Sequence, residues 1–387
     1  MARETGRREL LRGGLAAAGL GVLGLPGWVL PALAQGDTLA PFTDIPEPFR
    51  TVSSETNRIL DIRTIDGLFT PRDQFFTTQH YGHPEVDLAR FRLTITGLVE
   101  RPRELSMDQL RSMGAADLPA GFECSGNSKG RIQGLASNGR WTGVPLRTVL
   151  NQAGVRPQGR EVVFFGADHG EEEVEFRGQK YAVDQQFGRS VSRADALAPG
   201  PFLAWAMNGE PLTRHQGFPL RLIMPGWYGV ANVKWLAQIH VQEDQYLGKF
   251  QARWYRTLRG ETINGEVKWK EAAVTRMRLK SVVARVTRAG DQHTVHGFVL
   301  NDGTPLRSVE VRVDGGPWEP ATLGSSNTKY SWKLFTWNWK GATPGEHTIV
   351  SRATDTTGNV QPEPADLASK KTFLEDNGQF LRKVMIG

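Results

Sequence analysis

The chain holds a single cysteine, Cys124, among 387 residues. No internal disulfide is open to it, so the fold must stand on buried apolar surface alone. The same count excludes a covalently attached haem, a cysteine-ligated iron–sulfur cluster and a multi-cysteine zinc site, each of which needs more thiols. At this length a single core stops growing, which points to two domains or to one large domain with a smaller companion. With 43 glycines, 22 prolines and 39% hydrophobic residues, the composition is that of a loop-rich protein with much β-structure.

The first residues read as an export signal. Arg7 and Arg8 precede Leu10 and Leu11, an apolar stretch covers residues 13–33, and Ala32-Leu33-Ala34 offers small residues at the first and third positions of a signal-peptidase site. Residues 1–34 are expected to be a twin-arginine leader, with a mature chain starting near Gln35 and delivered to the periplasm. Pro26 and Gly27 interrupt the apolar stretch, so stable membrane insertion is not expected. The twin-arginine route carries folded proteins, which suits a cofactor inserted before export. The formal net charge is +6, and Arg3, Arg7, Arg8 and Arg12 outnumber Glu4 and Glu9 by two within the leader. A charge this mild, with no Lys/Arg run interleaved with aromatics, argues against nucleic acid as a partner.

Residues 35–85 begin as an irregular arm rich in Pro, Thr and Asp. Residues 91–99 alternate Phe91, Leu93 and Ile95 with Arg92, Thr94 and Thr96, the period of a strand, closed by Gly97. Ser106 as N-cap predicts a short helix to Met113, and residues 145–153 predict another, stopped by Gly154. A strand-like run leads from Ala120 to Cys124; residues 161–165, 202–207, 220–224 and 233–241 are further strand candidates. Beyond about residue 275 short alternating runs recur at 282–286, 296–300, 308–313, 331–339 and 347–353, separated by turns such as Asn301-Asp302-Gly303. The expected fold is α+β: a mixed α/β domain over residues 86–275, then an all-β sandwich over 276–387.

Cys124 stands where the strand-like run meets a loop, in Phe122-Glu123-Cys124-Ser125-Gly126-Asn127. A free cysteine is more often a small buried side chain than a reactive one. A thiol on a Gly-flanked loop tip, however, is open to close approach by a ligand. A cysteine nucleophile needs a His base, and no diagnostic string marks one. A second constellation runs through Gly217-Phe218-Pro219-Leu220-Arg221, Gly226, Gly229 and Asn232-Val233-Lys234-Trp235. Its glycines let backbone N–H groups approach an anion while Arg221 and Lys234 add charge, which suits a phosphorylated cofactor and, equally, a plain strand–turn–strand unit.

Together these strings resemble the sulfite oxidase family of molybdopterin enzymes over nearly all of the chain beyond the leader. They comprise GLVERP from Gly97, FECSGN around Cys124, NGRWTGVPL from Asn138, the block from Met207 to Leu236, and RATDTTGNVQP from Arg352. The resemblance implies that Cys124 is the protein ligand to molybdenum. It implies that the molybdenum cofactor, molybdopterin, is held by Phe76, Thr77, Thr78, Gln79, His80, Asp168, Gln216, Arg221, Asn232, Val233 and Lys234. Tyr255, His80, Lys129 and Trp141 are then expected at the reaction site, with Trp141 lining the pocket. Gln216 replaces a histidine of eukaryotic members. The C-terminal sandwich is expected to be immunoglobulin-like and to form much of a homodimer interface.

Three arginines that cradle the sulfite dianion in the family fall here on Thr78, on Lys129 and near Thr304, with Arg307 close by. Fewer guanidinium forks mean weaker sulfite binding. The expected reaction is a two-electron oxygen-atom transfer to sulfite or a related sulfur compound, with electrons passed to a separate periplasmic c-type cytochrome. A methionine sulfoxide-type reductase and a sulfane dehydrogenase subunit are alternatives within the same chemistry. An exported non-enzymatic binding protein is the alternative outside it.

Overall fold

Local signals that depend on one or two side chains are realised as the sequence predicts. The computed structural model describes residues 37–47, 49–54 and 57–387; the leader expected at residues 1–34 lies outside them. Ser106 caps the helix Met107–Ser112 through a reciprocal pair: Gln109 N donates to Ser106 Oγ (3.3 Å) and Ser106 N to Gln109 Oε1 (2.8 Å). Replacing Ser106 by Ala is expected to cost about 1 kcal/mol, read from a chemical-denaturation midpoint. The helix Leu146–Ala153 buries Leu146, Val149, Leu150 and Ala153 along one face and ends where Gly154 turns to a φ of +71°. At eight residues it is the longest α-helix among the described residues, so strands carry most of the fold.

The first sheet runs in the order Arg103–Leu105, Leu93–Gly97, Leu236–Gln242, Glu161–Phe176 and Gln179–Ser192. Leu93–Gly97 lies parallel to Leu236–Gln242, and the other neighbours are antiparallel. Leu93 and Ile95 point into a core with Leu150, Phe164 and Ile239. The second sheet orders Glu210–Pro211, Phe202–Met207, Ala136–Pro145 and Ala116–Glu123, with Arg221–Ile223 also paired to Phe202–Met207. It presents the Cys124 turn at the end of one of its edge strands.

The C-terminal runs form two antiparallel sheets, one around Lys280–Ala289, Gln292–Leu300 and Lys333–Trp339, the other around Leu306–Val313, Gly345–Asp355 and Arg382–Ile386. They share an apolar core of Val282, Val295, Phe298, Val311, Ile349 and Val384, and the hydroxyls of Ser281 and Ser351 meet across it at 2.7 Å. That core continues past residue 276 into Phe75, Phe122 and Trp141, so the Cys124 strand and the C-terminal sheets pack as one body. The arm is less superficial than its composition suggests. Thr38–Ala40 pairs with Lys280–Ala289, and Phe42, Ile45, Leu60 and Ile62 are buried in the same core.

Two hairpins exceed the sequence reading. Glu161–Phe176 does not stop at residue 165 but shifts register between Phe165 and His169 and runs on against Gln179–Ser192. Arg256–Ile263 and Glu266–Ala273 pair across Asn264-Gly265, both at positive φ, the tight-turn signature that this dipeptide carries.

Candidate active site

Cys124 is held by its own loop from three sides. Its N–H donates to Leu135 O (2.9 Å), its carbonyl accepts from Asn127 N (2.9 Å), and Gly126 N faces the sulfur at 3.4 Å. The Asn127 amide donates to Glu123 Oε2 (3.0 Å) and Gln133 O (2.9 Å) and accepts from Leu135 N (3.0 Å), closing the loop upon itself. Glu123 in turn pairs with Lys280 at 2.9 Å, both side chains 2% exposed, which ties the loop to the C-terminal sheets. Ser125 O accepts from Glu375 N (2.7 Å), so the C-terminal segment also closes over the turn. The thiol is half-buried, and burial pushes its pKa up, with Glu123 adding to the effect and Arg131 opposing it. Such a sulfur stays protonated until a metal stabilises the thiolate. Among the described residues no group of three or more His, Cys, Asp or Glu side chains converges as a metal site.

The thiol opens onto a cleft. Phe76, Thr77, Thr78, Gln79 and His80 form one wall; Gln216, Arg221, Asn232, Val233 and Lys234 form another, with Asp168 and Tyr255 completing it. These are the residues expected around the cofactor, and the fold brings all of them to one place. Arg221 is buried, with no carboxylate partner among the described residues: Nη1 donates to Gln216 O (2.9 Å), Nη2 to Asn232 O (3.2 Å), and the guanidinium lies 4.9 Å from the Trp141 ring centre. Desolvation lowers its pKa to about 9. Lys234 Nζ donates to Thr78 O (3.2 Å) and Gln79 Oε1 (3.0 Å). Burial depresses the Lys234 pKa and raises that of Asp168, and each charge favours the other.

Asp168 Oδ1 and Arg221 Nε are buried with no hydrogen-bond partner among the described residues. Unpaired groups of this kind ask for a ligand that offers N–H donors to the carboxylate and oxyanions to the guanidinium. A phosphorylated pterin offers both. Gly217, at φ +100°, is part of the same cradle, since a Cβ there would meet Lys234 Cβ at 2.8 Å.

At the mouth, His80 Nε2 and Tyr255 Oη are hydrogen-bonded at 2.8 Å. The imidazole stacks on Phe250 (4.5 Å between centres), and although the residue keeps an edge open to solvent, desolvation and the nearby Lys249 and Lys234 lower its pKa to about 4. Burial raises the Tyr255 pKa, so its hydroxyl keeps its proton.

Three expected positions lie elsewhere. Trp141 is fully buried, its Nε1 donating to Ala120 O (3.0 Å), and it backs Arg221 rather than lining the cleft. Lys129 is exposed in a separate groove with Leu367 and Gln379. Thr304 donates to Asp302 (2.7 Å) beside a different hollow, and Arg307 is exposed. Gln216 does line the cleft, yet its amide accepts from Thr213 N (3.0 Å) and donates to Arg72 O (2.9 Å). Its neighbour His215 lines the cleft as well and meets His83 at 2.9 Å, a residue the sequence reading missed. Its adjacency to an expected cofactor residue was the available signal.

Depressed histidines give the fold a pH dependence. His80, His83 and His296 are each lowered from an ordinary 6.5 to about 4. The unfolded chain binds more protons in that window, so their contribution is present above pH 6.5 and lost as pH falls toward 4; Asp168, with its raised pKa, works in the opposite direction. Thermal midpoints measured across this range should fall with acid, and His296→Gln, at a ring hydrogen-bonded to Thr287 (3.0 Å), should flatten the slope.

A profile of the oxidoreductase molybdopterin binding domain matches residues 80–250. Sulfite oxidase of Gallus gallus is 30% identical over 323 residues, covering 76% of this chain and 68% of that protein. The chain belongs to the sulfite oxidase family. Its members are molybdopterin-dependent oxidoreductases, and the unpaired Asp168 and Arg221 atoms, which line one cleft with Cys124, fit that cofactor. Mitochondrial sulfite oxidase of Mus musculus is 28% identical over 331 residues, and there the match spans 77% of this chain but 58% of the mouse protein. The crystal structure of the sulfane dehydrogenase SoxCD from Paracoccus pantotrophus shares the fold of this sulfite oxidase family member with a TM-score of 0.71, over 88% of this chain and 90% of that one, at 24% identity. Family membership sets aside the reading as a non-enzymatic binding protein.

Proposed function

We propose that the chain is a periplasmic molybdenum oxidoreductase that oxidises a sulfur compound of low charge and hands the electrons to an external c-type cytochrome. Bound molybdopterin supplies the two-electron oxygen-atom transfer. The observation that carries the substrate class is the cation inventory of the cleft. Arg221 Nη1 and Nη2 and Lys234 Nζ are engaged by Gln216 O, Asn232 O, Thr78 O and Gln79, the free Arg221 Nε is taken by the cofactor's oxyanion, and His80 is neutral near pH 7. Around them stand Phe75, Phe76, Phe122, Phe187 and Tyr255. A sulfite dianion placed there lacks the guanidinium fork it needs, whereas a neutral or singly charged sulfur meets aromatic surface. Sulfane sulfur is one such substrate, the one named for the SoxCD structure whose fold this chain shares.

Thr78 holds the expectation open to experiment. Thr78→Arg should lower the KM for sulfite by about ten- to a hundredfold, since one charge-assisted hydrogen bond is worth roughly 1.5–3 kcal/mol. The assay is ferricyanide reduction with sulfite against a neutral sulfane donor; a wild-type enzyme that already oxidises sulfite with a low KM contradicts the reading. Within the chain, Tyr255 and His80 form the proton-holding pair at the mouth and orient the substrate's oxygen or sulfur.

Export in the folded state is supported by Arg7-Arg8, and a second copy would dock through the C-terminal sheets. Among the described residues no helix is long and apolar enough to cross a membrane.

A further inference from the structure

Arg189 is 1% exposed, and among the described residues no carboxylate accepts a hydrogen bond from it. A buried guanidinium without such a partner is costly, and desolvation lowers its pKa to about 10. Its two terminal nitrogens hold main-chain carbonyls instead: Nη1 donates to Phe250 O (2.7 Å) and Nη2 to Val274 O. Val274 N donates in turn to Tyr255 O (2.9 Å). The guanidinium thereby bridges the short helix Lys249–Ala252, which carries Phe250, and the backbone partner of Tyr255.

Phe187 lies two residues earlier on the same face of Gln179–Ser192 and stacks on Phe250 at 4.7 Å. Ser190, which follows Arg189, grips the same helix from its main chain, its N–H donating to Gln251 Oε1 at 3.0 Å. What Phe250 and Tyr255 have in common is His80, stacked on the first at 4.5 Å and hydrogen-bonded to the second at 2.8 Å.

We infer that Arg189 is a positioning residue for Tyr255 and His80: its planar fork fixes the separation of the Phe250 and Val274 carbonyls and so sets where the tyrosine hydroxyl meets the imidazole. The inference rests on the reading of Tyr255 as a group that acts on substrate. A lysine ammonium at this position would reach one carbonyl but has no fork to hold two at a fixed spacing.

The test uses the full chain with nitrogen-15-labelled histidine, in Arg189→Lys and Arg189→Gln side by side, each crossed with Tyr255→Phe. The His80 Nε2 resonance is identified by its absence in His80→Gln. Arg189→Lys should move that resonance part of the way toward its Tyr255→Phe position. In cofactor-loaded enzyme it should lower kcat about ten- to a hundredfold with KM little changed, and the two substitutions should combine less than additively. A resonance unmoved in both Arg189 variants, or additive losses, overturns the inference and leaves the Tyr255 reading standing. A resonance that Tyr255→Phe itself does not move removes the hydrogen bond, and with it the Tyr255 reading and the clamp together.

Discussion

Cys124→Ser is expected to lower turnover by at least about a hundredfold while leaving the fold intact. Changing partners that merely orient a metal ligand already costs about ten- to a hundredfold in metalloenzymes, so losing the ligand itself should cost no less. The serine hydroxyl is harder and far less acidic than a thiol, and it does not replace a thiolate as a soft donor. The fold should tolerate the change. The loop is closed by Asn127 and by backbone bonds to Leu135, none of which uses the sulfur. Steady-state ferricyanide reduction and a denaturation curve on the same preparations check the two halves. A variant that keeps wild-type turnover, or one that fails to fold, contradicts the assignment.

The second large effect is on stability. Lys280→Met leaves the Glu123 carboxylate buried with Asn127 Nδ2 (3.0 Å) as its remaining side-chain partner among the described residues. Removing one member of a buried ion pair typically costs about 3–5 kcal/mol, because the other charge stays behind. Glu123→Gln in the same chain should recover most of that loss: it removes the stranded charge and keeps an acceptor for Asn127. Because Glu123 precedes Cys124 directly, the single variant should also lose activity, and the double variant should regain it in part. Denaturant midpoints and turnover of the two variants decide the matter. A Lys280→Met protein as stable as wild type would mean that the pair does not tie the Cys124 loop to the C-terminal sheets.

Much of this was legible in the residues, for reasons that differ by element. The Ser106 cap and the Gly154 stop are local, so two or three side chains suffice to specify them. The strands that line a core alternate in plain view, as Leu93 and Ile95 do. Cys124, Arg221 and Lys234 came together because the strings around them carry the family's pattern, which encodes a site rather than a propensity. What stayed hidden depends on depth. Trp141 and Lys129 sit in matching strings, but a string does not say that one ring lies behind Arg221 and one ammonium faces solvent. The strand Gln179–Ser192 is exposed over its outer half, which projects beyond the core, so Tyr181, Ala182 and Val183 there follow no buried-and-exposed alternation that would mark a strand. Arg189 reads as a surface residue in a run of Gln, Gly and Ser; only the carbonyls of Phe250 and Val274, contributed from far along the chain, explain its burial.

The most direct test of the account is metal and pterin analysis, with X-ray absorption at the molybdenum edge, on the full 387-residue chain produced in a host that makes the cofactor. The account predicts about one molybdenum and one pterin per chain in the wild type, and one sulfur neighbour fewer around the metal in Cys124→Ser. Well-folded protein without molybdenum, or an unchanged sulfur count in Cys124→Ser, would contradict it.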